Sequence, residues 1–293
     1  MQKTLGPSAI GIKGVSLQES IELASATGFD SVLIDIREVE KLANDIGVDG
    51  VKERFANAGV KPASWNSAVA WTKDEQRDDD LKLLPKRAAI ARDLGTTRAT
   101  TGVMPGSNDR DYAENYAWTV ERLRPVAEVL KSEGCQLGIE FISPKTLRDT
   151  FKYEFIYTLG GTMELAASIG AGNVGLLLDA WHLYESGGDV SAMDQITAKD
   201  VIAVHVNDAP AGIPRDEQQD LVRALPMETG VIDIVPFMRK LQELGYDGPV
   251  MAEPFSKRLE EIAAHDPVAA ARETKLSLDK LWAAALGDAA FAS

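Results

Sequence analysis

Hydrophobic and polar positions along the chain fall into two alternating patterns. Short apolar runs are each followed by a longer stretch with apolar positions three and four apart. The short runs lie at residues 8–12, 31–36 (SVLIDI), 61–67 (KPASWNS), 97–103, 136–142 (QLGIEFI), 174–179 (VGLLLD), 201–206 (VIAVHV) and 249–253 (PVMAE). The helical stretches lie at 17–27, 51–58, 81–94, 112–132, 162–169, 190–198, 234–244 and 267–286. Gly28, Gly59, Gly95, Gly134, Gly170 and Gly245 stand just after six of them. Glycine is favoured there because the residue that ends a helix often needs a positive φ. The polar run 73–80 (KDEQRDDD) reads as a solvated loop or a helix start.

The pattern predicts eight strand–helix units in strict alternation. Nearly continuous apolar strands belong to a parallel sheet covered on both faces. Eight such units in a chain of this length match a (β/α)8 TIM barrel, one domain spanning residues 1–293. A doubly wound open sheet has the same periodicity and is the alternative. No G-x-G-x-x-G follows the first run, and Gly11 and Gly14 lack its spacing, so a dinucleotide site is not expected.

Composition narrows the function classes. The chain is 45% hydrophobic and 26% charged, which fits a globular protein with a large core. Its 31 Lys and Arg against 45 Asp and Glu give a formal net charge of −14. Such a surface repels phosphate backbones, so nucleic acid is not an expected partner. No apolar run is long enough to span a bilayer, so no membrane role is expected either. Cys135 is the only cysteine, which excludes an intrachain disulfide, and with no signal peptide in view the expected location is cytoplasmic.

In parallel α/β folds, functional groups gather at the carboxyl ends of strands. Each of the last four predicted strands carries one metal-competent side chain there: Glu140, Asp179, His205 and Glu253. Each alone has an ordinary explanation, as a cap, an ion pair or a core histidine. Four in succession point to one cation, because an unpaired buried carboxylate is costly. Three carboxylates with one imidazole make a hard, oxygen-rich set that favours Mn²⁺ or Mg²⁺, with Co²⁺, Fe²⁺ and Zn²⁺ as alternatives. His182, three residues after Asp179, is placed to turn into the mouth, whereas His265 reads as surface.

The segments IEF (139–141), LDxxH (178–182), HVND (205–208) and AEPF (252–255), in this order, carry a resemblance. The set resembles the sugar phosphate isomerase/epimerase family of xylose isomerase-like barrels. The resemblance implies that Glu140, Asp179, His205 and Glu253 bind one divalent ion. It implies that Glu140 and Glu253 are the catalytic acid/base pair and that His182 contacts substrate. Relatives carry an arginine after the histidine of the seventh strand, and the nearest here is Arg215. Their Pro-Gly-Glu-Gly segment reads Pro226-Met227-Glu228-Thr229-Gly230, which keeps Glu228 and departs at Met227 and Thr229. A homodimer or homotetramer is the family expectation.

The mechanism so implied passes through an enediolate. Returning the proton to the neighbouring carbon isomerises a sugar, and returning it to the opposite face of the same carbon epimerises it. Loss of a β-hydroxyl dehydrates an inosose or 3-keto-sugar, so a lyase is the nearest rival, and a non-enzymatic sugar-binding barrel is another. Apurinic endonucleases of the same superfamily need more histidines than the three present. Trp65 and Trp71 are candidates for an apolar wall against a sugar face, Lys145 for an anionic group, and Arg215 and Arg223 for a carboxylate or phosphate. Residues 209–229 form a long excursion after strand seven, read as a lid or a subunit contact. With no glycine-rich phosphate loop, a free sugar or keto-polyol is as well supported as a sugar phosphate.

Overall fold

In the computed structural model, which describes residues 1–287, eight parallel strands close into one barrel. They are β1 (Gln2–Leu5), β2 (Ser31–Ile34), β3 (Lys61–Asn66), β4 (Arg98–Val103), β5 (Gln136–Phe141), β6 (Val174–Asp179), β7 (Val201–Val206) and β8 (Pro249–Ala252). The ring closes where β1 meets β8, with Gln2 opposite Pro249 and Thr4 opposite Met251. That pairing rules out the open doubly wound sheet, which would leave two strand edges. Around the barrel lie α1 (Leu17–Thr27), α2 (Ile36–Ala58), α3 (Asp74–Asp93), α4 (Tyr112–Ser132), α5 (Leu159–Ile169), α6 (Ala180–Glu185), α7 (Ile234–Leu244), α8 (Lys257–His265) and α9 (Pro267–Leu286). All six residues of β7 are buried, because one face packs inside the barrel and the other lies under helices.

Four elements differ from the sequence reading. The first strand is Gln2–Leu5, and Pro7–Ile10 form a 3-10 turn instead. The strand looks polar because Lys3 sits in it, yet Lys3 is buried. Its ammonium reaches Asp279 at 2.7 Å and lies 5.4 Å from the Trp282 ring centroid. Helix α2 begins directly after β2, capped by Asp35, whose carboxylate accepts the Arg37 N–H, and it bends at Gly47. The segment expected as a helix over 190–198 is 3-10 over Val190–Gln195, and the true helix after β6 is the short α6. Helix α8, absent from the reading, ends at His265, which is exposed as expected.

Outside the barrel, Gly106–Ser107 pair antiparallel with Tyr153–Glu154 above the ends of β4 and β5. No described helix is long and apolar enough to cross a membrane.

Strand packing is tight where β6 enters the barrel. A Cβ added at Gly175 would lie 2.3 Å from the Asp200 carbonyl oxygen, while one at Gly102 in β4 would meet nothing within 4 Å. Gly175→Ala is therefore expected to cost about 1–3 kcal/mol, and Gly102→Ala much less. Urea denaturation of the two variants measures the difference, and equal midpoints would contradict the crowding at Gly175.

Candidate metal centre

The carboxyl ends of the last four strands meet at one point. Asp179, the final residue of β6, lies opposite His205 in β7. His205 in turn lies opposite Met251 of β8, and side chains two apart share a strand face. Glu253, two residues on, therefore joins the same side, and Glu140 comes from β5. Each of the four offers one ligand atom, and these atoms all lie within 4.8 Å of one another. His205 Nδ1 stands 3.3 Å from Glu140 Oε1, 3.3 Å from Glu253 Oε2 and 4.0 Å from Asp179 Oδ2.

Neighbouring groups hold these side chains in place. Asp179 Oδ1 accepts the Trp181 N–H at 2.7 Å and an N–H of the Asn207 amide at 3.1 Å. The same amide's oxygen accepts the Glu253 N–H at 2.7 Å, so Asn207 ties β6 to the end of β8. Asp208, fully buried, accepts N–H groups of Ala209, Thr229, Gly230 and Ile232. It thereby pins both ends of the 209–229 excursion to the barrel. Both residues stand in the HVND segment, where the sequence reading used only the histidine.

The excursion delivers Arg223 to the centre. Its Nη1 donates to Asp179 Oδ2 at 2.8 Å and to Glu253 Oε2 at 3.0 Å, and its guanidinium lies 4.5 Å from the Trp181 ring centroid. The arginine that touches the cluster is thus Arg223, not Arg215. Arg215 is half-exposed and lies near Asp216 and the Tyr184 ring. Only the fold reveals the difference, because Arg223 is farther from His205 in sequence.

The remaining candidates scatter. His182 is buried beside Arg223, with Nε2 3.3 Å from Nη2 and Nδ1 3.3 Å from the Ser143 N–H. Burial pushes the ring down to about 4, so it is neutral at neutral pH. A neutral imidazole accepts at one nitrogen only, so one of these contacts sets a donor against a donor. Trp65 is fully buried and offers no face to a ligand. Trp71 is buried too and donates its indole N–H to Thr101. Lys145 begins a single helical turn and pairs with Asp149. Glu228 is exposed, accepts the Leu225 N–H and pairs with Arg258 at 3.3 Å, so it serves its own turn.

A divalent cation fits this donor set. Glu140 Oε1 and His205 Nδ1 are buried without a hydrogen-bond partner, which is expensive for polar atoms. Donors about 2.1 Å from a common ion lie roughly 3.0–4.2 Å apart in an octahedral site, close to the spacings seen. Burial raises the Glu140 carboxyl to about 7, against the pull of His205. Burial also works against charge on His205, but Glu253 and Glu140 outweigh it and hold the ring well above its usual value.

The chain belongs to the xylose isomerase-like TIM barrel family, whose model matches residues 21–281. It is 22% identical to the inosose isomerase of Bacillus velezensis over 275 residues, covering 91% of this chain and 93% of that one. Among solved structures it is similar to a xylose isomerase domain protein from Alicyclobacillus acidocaldarius (TM-score 0.86, 29% identity), covering 97% of this chain and 99% of the other. It also shares its fold with the IOLI protein solved with a binding zinc atom (TM-score 0.77, 19% identity), covering 98% and 99% of the two chains.

Arg223 supplies positive charge to the same carboxylates that a cation would hold. Arg223→Leu is expected to destabilise the metal-free protein by about 3–5 kcal/mol. Added Mn²⁺ should raise the melting temperature of the variant more than that of the wild type. Thermal melts of both proteins with and without Mn²⁺ check this, and an equal metal effect would show that guanidinium and ion do not share the site.

Proposed function

We propose that this enzyme of the sugar isomerase and epimerase class acts on a ketose or keto-polyol, removing a proton from the carbon beside the carbonyl and returning one. The observation that carries the reading is the convergence of Glu140, Asp179, His205 and Glu253, with two buried ligand atoms left unpartnered. Whole-length similarity to inosose isomerases supports the substrate class. These four residues would hold one divalent ion. Mn²⁺ or Mg²⁺ is favoured by the hard donors, and Zn²⁺ by likeness to the IOLI protein. When bound, the ion supplies a Lewis acid for the carbonyl and adjacent hydroxyl oxygens.

The chain's own groups do the rest. Glu140 and Glu253 stand on either side of His205 and move the proton. These carboxylates are favoured in their ionised form beside a bound cation, and that is the form that takes a proton. A substrate oxygen placed between His182 and Arg223 accepts hydrogen bonds from both and relieves the donor-against-donor contact. Asn207 and Asp208 position the machinery without touching substrate, one orienting Asp179 and Glu253, the other anchoring the segment that carries Arg223.

The test is solvent exchange. The protein, supplied with Mn²⁺, is incubated in D₂O with ketoses, inososes and 3-keto-sugars. Deuterium beside the carbonyl, without water loss, is the expected outcome. A dehydrated product would assign the lyase chemistry instead, and no exchange with any compound would leave a sugar-binding barrel. Glu253→Gln should lower exchange by about 10²–10⁴-fold while circular dichroism stays native, and near-normal exchange would remove Glu253 from the proton pathway.

A further inference from the structure

The metal-centre residues occupy only half of the barrel mouth. In the closed ring, β1, β2 and β3 lie on the side facing β5 to β8. Over the carboxyl ends of those three strands is a cleft of about 480 Å³, at the same end of the barrel as the metal centre. Nothing in the proton-transfer reading uses it. Its volume falls within the roughly 300–1,000 Å³ of cavities that hold small molecules.

The lining is built rather than incidental. Ala68, just past β3, has φ +56°, a left-handed conformation that costs a non-glycine residue about 1–2 kcal/mol. Three hydrogen bonds hold it there. The Asn66 side-chain oxygen accepts the Ala68 N–H at 2.9 Å, and the Ala68 carbonyl accepts from Arg37 at 3.1 Å and Arg87 at 3.4 Å. Arg87 is itself buried and fixed by Glu40 at 2.9 Å. The strained turn lies in the cleft wall.

The chemistry of the lining selects the ligand. Lys13 pairs with Glu260 at 3.1 Å, Glu38 accepts the Leu17 N–H, and Asp35 accepts the Arg37 N–H. Arg37 donates to Ala68 and lies 3.7 Å from Asp80. Both signs of charge are present and each has an answering group, so a phosphate or carboxylate finds no unanswered cation. Polar groups of both kinds interleaved with Ile12, Val15 and Ile34 suit a neutral polyhydroxylated ring.

We propose that this cleft is a second sugar subsite, taking the glycosyl unit of a two-ring substrate whose keto ring lies at the metal centre. The proposal rests on the proton-transfer reading for its keto ring and on the cleft alone for its second ring. Binding energy from a remote ring then raises kcat/KM for proton exchange at the first.

Ser8→Trp places a large side chain in the cleft at an exposed position outside the metal centre. With Mn²⁺ supplied to the full chain, exchange in D₂O is compared for 3-keto-glucose and for a 3-keto-disaccharide. The wild type is expected to favour the disaccharide by about tenfold or more, and Ser8→Trp to erase that preference while leaving the monosaccharide rate within about twofold. A wild type without the preference, or a preference that survives Ser8→Trp, overturns the subsite. Saturation-transfer NMR with the unoxidised disaccharide, which has no carbonyl, reads the cleft independently. If neither ketone exchanges, 3-keto-sugars are not turned over at the metal centre and NMR alone decides the subsite. Signals with the wild type that vanish with Ser8→Trp uphold the subsite, whereas equal signals or none refute it.

Discussion

Three carboxylates crowded into a largely buried pocket repel one another, and the centre of this protein is organised around answering that repulsion. Asp179 has no exposed surface, and Glu140 and Glu253 are only slightly exposed. Each would lose several kcal/mol if ionised and unpaired in such surroundings. Arg223 answers Asp179 and Glu253 from one side, and His205 answers Glu140 and Glu253 from the other. The balance is incomplete, since Glu140 Oε1 and His205 Nδ1 still lack hydrogen bonds. Three carboxylates against one guanidinium and one imidazole, with two ligand atoms unpartnered, are well suited to a divalent ion.

The barrel makes this arrangement affordable. Parallel closure places consecutive strand ends side by side, so four residues scattered over more than a hundred positions need only adjacent strands to meet. Asn207 and Asp208 convert that approximate meeting into fixed geometry, one by bridging β6 and the end of β8, the other by gathering four backbone N–H groups. The opposite half of the mouth has its own pinned feature, the left-handed Ala68. The four metal-competent side chains and the cleft are thus carried by different strands of one ring.

Much of the architecture was legible because it depends on local periodicity. The apolar runs of β5 to β8 and the glycine stops after α1, α5 and α7 are properties of neighbouring residues. β1 was misplaced because Lys3 looks polar in sequence and becomes tolerable only when Asp279 and Trp282, at the far end of the chain, cover it. The helix expected over 190–198 failed for a related reason. The chain turns into α6 directly at Asp179, whose side chain caps that helix while facing the centre.

The sequence by itself determined which side chains stand at which strand ends, and hence that Glu140, Asp179, His205 and Glu253 face one mouth. That follows from a period of two within strands and from the rule that parallel connections keep carboxyl ends together. Tertiary structure alone decided that Arg223 rather than Arg215 enters the cluster, that Trp65 is sealed in the core, and that a cleft opens across the mouth. Those outcomes depend on how a long loop is pinned and how side chains divide a shared volume, and no local pattern encodes a distance between segments far apart in the chain.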